Sequence, residues 1–160
     1  MAVDAPGTAS DATYAYDSDG VRVKEAASSG TTYYLNDPQN PTGYNKAIEE
    51  KSSLTVTTRS YVLGLKVEGQ ADATDGVHYL LADGHGSTRA LLNTAGAVTD
   101  SYDYKAFGEA VGFDAATAKT PWLFGGDGVY DPASGWTYHL ARWRNGFWFT
   151  SMDSYAGNTQ

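Results

Sequence analysis

Four side chains between positions 78 and 87 carry groups that bind metals or move protons: His78, Asp83, His85 and Ser87. Imidazole and carboxylate can share a metal ion, and a serine beside a histidine can act as a nucleophile. Their spacing argues against both uses. All four crowd around the Asp83-Gly84 pair, whereas a nucleophile and its base are brought together from separate stretches of chain. Polar residues around a glycine read as a turn. Asp17-Ser18-Asp19-Gly20 opens as a calcium loop opens, but an EF-hand needs another ligand where Val21 stands and a glutamate further on. It too reads as an Asp-Gly turn, and no metal or cofactor is expected. Trp136, Tyr138, Trp143 and Trp148, followed by Phe149, could stack on sugar rings. Aromatics at alternating strand positions more readily pack across strands. No enzyme activity is expected from these groups.

The elements that must position these residues are strands. The 160 residues include 12 Tyr, 4 Trp and 18 Gly but only 2 Met, a composition suited to pleated half-buried surfaces and tight turns. The expected class is all-β. A net charge of −8, with 11 scattered basic residues, excludes a nucleic-acid backbone binder. With no cysteine, disulfides and thiolate metal sites are ruled out. No apolar run reaches the roughly 18 residues of a membrane span, so membrane insertion is not expected. MAVDAPGTAS has neither the basic nor the apolar region of a signal peptide, and the chain is expected to be a piece of something longer.

Turn pairs recur along the chain: Asp19-Gly20, Ser29-Gly30, Asp75-Gly76, Asp83-Gly84, Ala95-Gly96, Ser134-Gly135 and Asn145-Gly146. Between them the pattern predicts strands at 13–17, 21–26, 31–36, 45–51, 55–67, 77–82, 88–93, 97–105, 121–124, 136–143 and 147–150. Residues 45–51 (NKAIEEK) are good helix formers, yet they lack an apolar face at helical spacing and are read as an exposed strand. RWRNGFWF, residues 142–149, predicts a hairpin turning on Asn145-Gly146 with its tryptophans paired across the strands. Residues 1–12 read as a lead-in, 69–76 and 112–120 as polar connectors. The first connector divides a repeat-like part (13–68) from a motif-rich part (77–160).

Two segments repeat. YAYDSDGVRV (14–23) and YDYKAFGEAV (102–111) each place two tyrosines on one strand face and reach a glycine after the same interval. The first fits the pattern Tyr-x-Tyr-Asp-x-x-Gly, through Tyr14, Tyr16, Asp17 and Gly20, and resembles the Rhs/YD-repeat family. YLLADGHGSTRALLNTAGAVTDSYDYKAFGE (79–109) resembles the Rhs-associated core, through Asp83, Gly86, Ser87, Arg89, Tyr102, Tyr104, Phe107 and Gly108. FGGDGVYDPASGWTYHLARWRNGFWFTSMD (124–153) continues the likeness through Asp131, Gly135, Arg142 and Asp153, with Asn145-Gly146 replacing a longer loop. The resemblance implies an antiparallel β-ribbon that spirals into a hollow shell, in secreted or surface-exposed proteins whose C-terminal toxic part the shell encloses. It also implies self-cleavage by an arginine and two aspartates. Arg142 and Asp153 match the arginine and the first aspartate, and the second would lie beyond Gln160. Such chemistry would be vestigial here, and a buried Arg142–Asp153 ion pair securing the last hairpin is the plainer reading.

A ribbon this short leaves unpaired edges that invite another strand. The expectation is a structural wall segment with open edges, extracellular or at the cell surface, associating with copies of itself into a tube, fibre or polymer. Two other readings stay open: a module binding cell-surface glycans, and an incomplete self-cleaving core.

Overall fold

A computed structural model describes residues 2–3, 12–41, 44–140 and 142–150. Among the described residues, sixteen short strands form three antiparallel sheets. Ten of them make the main sheet: β1 (Ala2–Val3), β2 (Ala12–Tyr16), β3 (Arg22–Ala27), β4 (Gly30–Asp37), β5 (Lys46–Ser53), β6 (Val56–Leu63), β7 (Val67–Asp72), β8 (Gly76–Ala82), β9 (Thr88–Leu92) and β10 (Val98–Ser101). Each pairs with its neighbour in sequence, so the sheet is an open meander ending on β1 and β10 rather than a closed barrel. Then β11 (Asp103–Tyr104) pairs with β12 (Ala110–Val111), and a single 3-10 turn spans Ala115–Thr117. The third sheet, again in sequence order, holds β13 (Val129–Asp131), β14 (Trp136–His139), β15 (Arg142–Asn145) and β16 (Trp148–Phe149).

The period of two sets the layers. Along β8, His78 and Leu80 are buried while Val77, Tyr79 and Leu81 face out. Along β2, Ala12 and Tyr14 are buried and Thr13 and Ala15 are exposed. The chain after β10 lies against the buried face of the sheet. Tyr102, Trp122 and Leu123 join Tyr61, Val67, Leu80 and Leu91 in one core. Ala133, Tyr138 and Trp143 join Ala12 and Tyr14 in a second. The last sheet is therefore seated on the first hairpin.

One loop design recurs. Asp17 N–H donates to Val21 O at 2.9 Å and Gly20 N–H to Asp17 O at 3.2 Å; Asp83 with Ser87 and Gly86, and Asn93 with Ala97 and Gly96, repeat both bonds. In each, the side-chain oxygen of the first residue accepts two backbone N–H groups at 2.9–3.0 Å. The glycine takes φ of 78°, 85° and 78°, the left-handed conformation that closes a three-residue hairpin loop.

Several expected boundaries move. Residues 69–76 are no connector: they hold the end of β7, a turn and the first residue of β8. Gln70, buried there, bonds Asp72 and Lys119 O, so its polarity serves the interior. The stretch 55–67 splits at Gly64, whose N–H bonds Lys66 O. Residues 97–105 split into β10 and β11, and 121–124 form no strand. The stretch 136–143 breaks at Leu140, which adopts φ 54° without being glycine and accepts a bond from the Tyr138 hydroxyl at its carbonyl. Residues 45–51 are a strand, but Lys46 is buried rather than exposed.

Candidate functional site

The most constrained cluster is built on Arg22, which alternation places opposite Val21 and Val23 and which faces the interior at 4% exposure. Its guanidinium carbon lies 4.4 Å from the ring centre of Tyr34, 4.9 Å from Tyr138, 5.4 Å from Trp143 and 5.8 Å from Tyr14. Four electron-rich rings thus surround one cation. Glu25 stands 3.5 Å away and Asp131 3.9 Å. Asp131, fully buried, accepts from the Tyr14 hydroxyl, from Ala133 N–H at 2.8 Å and from Ser134 Oγ at 3.0 Å. Burial opposes the Arg22 charge, yet the facing Tyr34, Glu25 and Asp131 outweigh it and raise the pKa. Burial and the Asp131 charge push the Glu25 carboxyl up. Burial and the bond to Asp131 push the Tyr14 phenol up. The cage holds a cation from its own chain, and it clamps the first hairpin to the last sheet.

A charged row extends from this cage across the sheet. Strand register sets Tyr34 opposite Glu50, Glu50 opposite Arg59 and Arg59 opposite Asp72. Tyr34 Oη donates to Glu25 at 2.7 Å, and Tyr61 Oη to Glu50 at 2.5 Å. Arg59 bonds Asp72 at 2.7 Å and Glu50 at 3.4 Å. Glu25, Tyr34, Glu50, Arg59 and Tyr130 border a cleft of about 280 Å³. Neither this row nor Arg22 stands out in the sequence, because its members meet only through the register of five strands.

Of the residues with apparent chemistry, Asp83, His85 and Ser87 border one cleft with Arg89, but their groups are taken up locally. Asp83 holds its own loop, Ser87 Oγ accepts Gly125 N–H at 3.1 Å, and the His85 ring packs on Phe124 at 5.4 Å. His78 is buried elsewhere, 3.7 Å from Asp75. Among the described residues no hydrogen bond joins Ser87 to a histidine, and no three His, Asp or Glu side chains converge as metal ligands. Asp17-Gly20 is the loop described above. Arg89 reaches Asp83 at 3.6 Å and Asp103 at 3.7 Å.

The aromatic set also divides. Tyr138 and Trp143 are buried at 7% and 6%, and Trp143 Nε1 donates to Tyr16 Oη at 3.0 Å, so neither can stack on a sugar. Trp136 is half-buried against the second core. Trp148 is 69% exposed. The hairpin at 142–149 forms, but Asn145 pairs with Trp148, which leaves Gly146-Phe147 as the turn. Gly146 has φ 58° and Phe147 does not share it, so the turn is of the II′ kind, with glycine first, rather than the expected Asn-Gly I′ form. Trp143 pairs with Tyr138 on β14, so the two tryptophans do not face each other. Arg142 lies over the Phe149 ring at 3.9 Å. Asp153, its expected ion-pair partner, lies outside the described residues.

Near the second repeat, Tyr104, Phe107, Phe113, Phe124 and Arg144 line a cleft of about 300 Å³. Arg144 donates to Phe107 O at 3.0 Å, Gly146 O at 2.7 Å and His139 Nε2 at 3.1 Å. Burial and the Arg144 charge hold the His139 imidazole down at about 4.

No protein-family model matches the chain, and no curated protein matches its sequence at a significant level. Among the described residues no helix is long and apolar enough to cross a membrane.

Proposed function

We propose that the chain is a wall segment of Rhs/YD-repeat type that works as a structural part, outside the cell or at its surface, by associating with copies of itself through β-edges. The observation that carries this reading is the main sheet. Ten strands follow one another in chain order, joined in part by one recurring loop, and among the described residues the order ends on strands unpaired at their outer sides. Such a sheet grows by adding hairpins and offers backbone donors and acceptors at each end. The interior supports it too, since the polar groups beside the Arg22 cage are spent on one another. Light scattering on the eluting protein tests the reading: the expected result is a mass above 17.1 kDa that rises with concentration. A single 17.1 kDa species at all concentrations overturns it.

A second reading, recognition of surface glycans, rests on Trp148 with Phe147 and Phe149, all exposed on the last hairpin. A glycan array should then give hits that Trp148→Ser abolishes. An array blank for the wild-type chain removes this reading.

A further inference from the structure

We infer that the cleft near the second repeat binds a small aromatic carboxylic acid, with its carboxylate on Arg144 and its ring among Tyr104, Phe113 and Phe124. The inference goes beyond the structural reading and does not depend on it. Arg144 is half-buried on β15 and lines this cleft of about 300 Å³. Its Nε donates to His139 Nε2 at 3.1 Å, and its Nη1 donates to Phe107 O at 3.0 Å and to Gly146 O at 2.7 Å. Two of these acceptors are carbonyls, and the third is an imidazole held neutral down to about pH 4. Neutral acceptors occupy N–H groups without cancelling the charge. Among the described residues no carboxylate comes within ion-pair distance of Arg144, and Nη2 makes no hydrogen bond. Glu109 also borders the cleft, but its side chain is 65% exposed and pairs with Lys105 at 3.1 Å. Burial therefore lowers the Arg144 pKa, with no facing anion to raise it.

A guanidinium withdrawn from water costs free energy until an opposite charge joins it. Nη2 still has two N–H groups to offer, and a carboxylate is the acceptor that they suit. The group is also held in place beforehand, by its three bonds and by the Phe124 ring, whose centre lies 5.3 Å from the guanidinium carbon. The walls decide the body of the ligand. Tyr104 stands edge-on to Phe113 and to Phe124, each 5.6 Å away between ring centres. A flat ring extends such an edge-to-face arrangement. The volume is at the lower end of the roughly 300–1,000 Å³ of ligand clefts, which suits a molecule of one ring. One positive charge awaits a partner and Glu109 opposes a second negative one, so the ligand is a monocarboxylate rather than a phosphate.

The test follows the backbone amides of the full chain by NMR during titration. Phenylacetate and benzoate are the probes; phenylacetamide is the uncharged counterpart, and acetate the anion without a ring. Saturable shifts are expected at Gly108, Gly128 and Gly146, which line the cleft. Phenylacetate should bind about tenfold or more tighter than phenylacetamide or acetate, the difference that a hydrogen-bonded charge makes. Two variants locate the site. Ala110→Phe fills the cleft and keeps Arg144, and Arg144→Gln removes the charge; each should weaken phenylacetate about tenfold or more. Circular dichroism and Tm show whether each variant folds. Where one does not, the ratio of phenylacetate to phenylacetamide in wild type judges Arg144, and the three glycine amides judge the place. No saturable shift with either acid overturns the inference. Phenylacetamide binding as tightly as phenylacetate overturns it too, because the charge then selects nothing. Binding that a folded Ala110→Phe leaves unchanged puts the ligand elsewhere and has the same result. Light scattering on the same samples reads the structural proposal separately, so either can fail while the other stands.

Discussion

Residues 14–23 and 102–111 fold into the same loop and are held by different means. In the first copy Asp17 N–H reaches Val21 O at 2.9 Å; in the second Lys105 N–H reaches Glu109 O at 2.9 Å. Gly20 and Gly108 close the loops with φ of 78° and 91°. Both copies bury their first tyrosine, Tyr14 at 4% and Tyr102 at 3% exposure, but the loops that follow are supported differently. Asp17 caps its loop with two bonds to backbone N–H groups, while the Lys105 ammonium can accept none and pairs with Glu109 at 3.1 Å in solvent. A Cβ on Gly20 would meet nothing within 4 Å, whereas one on Gly108 would lie 2.6 Å from the Phe124 ring. Two residues after the glycine, the first copy has the caged Arg22 and the second has Ala110. The repeat therefore keeps a backbone path, and each copy replaces what the other lacks: a polar cap where the loop is open, packing where it is covered.

Arg22→Leu should break this comparison hardest. Removing the cation leaves Glu25 and Asp131 buried without their partner, and losing one side of such a network costs about 3–5 kcal/mol. Urea unfolding should show that loss, while Ala110→Ser at the matching position stays within about 0.5 kcal/mol. A loss below about 1 kcal/mol for Arg22→Leu would mean that the cage does not bind the first hairpin to the last sheet. Next comes glycine. Gly20→Ala should cost about 1 kcal/mol, the left-handed strain alone. Gly108→Ala adds the clash with Phe124 and should cost about 3 kcal/mol in total. Equal losses at the two positions would refute the difference in packing.

The comparison also shows what a sequence can disclose. The class, the alternation in β2 and the Asp-x-x-Gly loops were legible because each depends on neighbours within a few residues; in β8 the polar His78 is buried while Val77, Tyr79 and Leu81 face out, which the residue types alone do not announce. Arg22 was visible only as a charged residue between two valines. Its burial is decided by Tyr138, Trp143 and Asp131, which stand in the distant last sheet. Polarity misled in the same way at 69–76, where Gln70 is polar because Lys119 O needs a donor. Leu140 carries no turn signal at all; a tyrosine hydroxyl on its carbonyl accompanies a conformation that its own type disfavours. The apparent chemistry of Asp83, His85 and Ser87 dissolved because the loop's own backbone takes up the carboxylate, Gly125 N–H takes up the hydroxyl and the His85 ring packs on Phe124, while His78 is buried on β8.

Acid should separate the two copies. His139 accepts from Arg144, and Arg144 in turn holds Phe107 O in the second copy's loop. Arg142 and Lys46 add positive charge around the imidazole, and Asp127 offsets part of it. With a folded value of about 4 against the ordinary 6.5 of an exposed imidazole, neutral His139 contributes stability that is complete above pH 6.5 and falls away as the pH drops toward 4. The loss should reach roughly 2–3 kcal/mol. Glu25, raised in the folded chain, works in the other direction and favours the first copy's surroundings as the pH falls. Hydrogen exchange corrected for intrinsic rates should therefore quicken at Gly108 as the pH falls from 6.5 toward 4 and change less at Gly20. His139→Gln, which keeps an acceptor for Arg144 without a titrating ring, should flatten the response at Gly108. A response unchanged in that variant would remove His139 from the account.

The smallest effect tests whether packing has taken the place of the cap. Lys105→Asp restores to the second copy the carboxylate that the first copy uses, on a backbone whose two loop bonds already match. The introduced carboxylate should accept the N–H groups of Phe107 and Glu109, as Asp17 accepts those of Asp19 and Val21. Lost with the lysine is only an exposed ion pair with Glu109, worth little in solvent. New repulsion between that carboxylate and Glu109 opposes part of the gain. A net stabilisation of about 0.5–1 kcal/mol is expected, read as a higher urea midpoint with an unchanged slope. The converse change, Asp17→Ala, should cost about 1 kcal/mol, because no ring supports Gly20. If Lys105→Asp destabilises by that much instead, the loops differ in backbone as well as in their supports, and the two segments are alike in sequence alone.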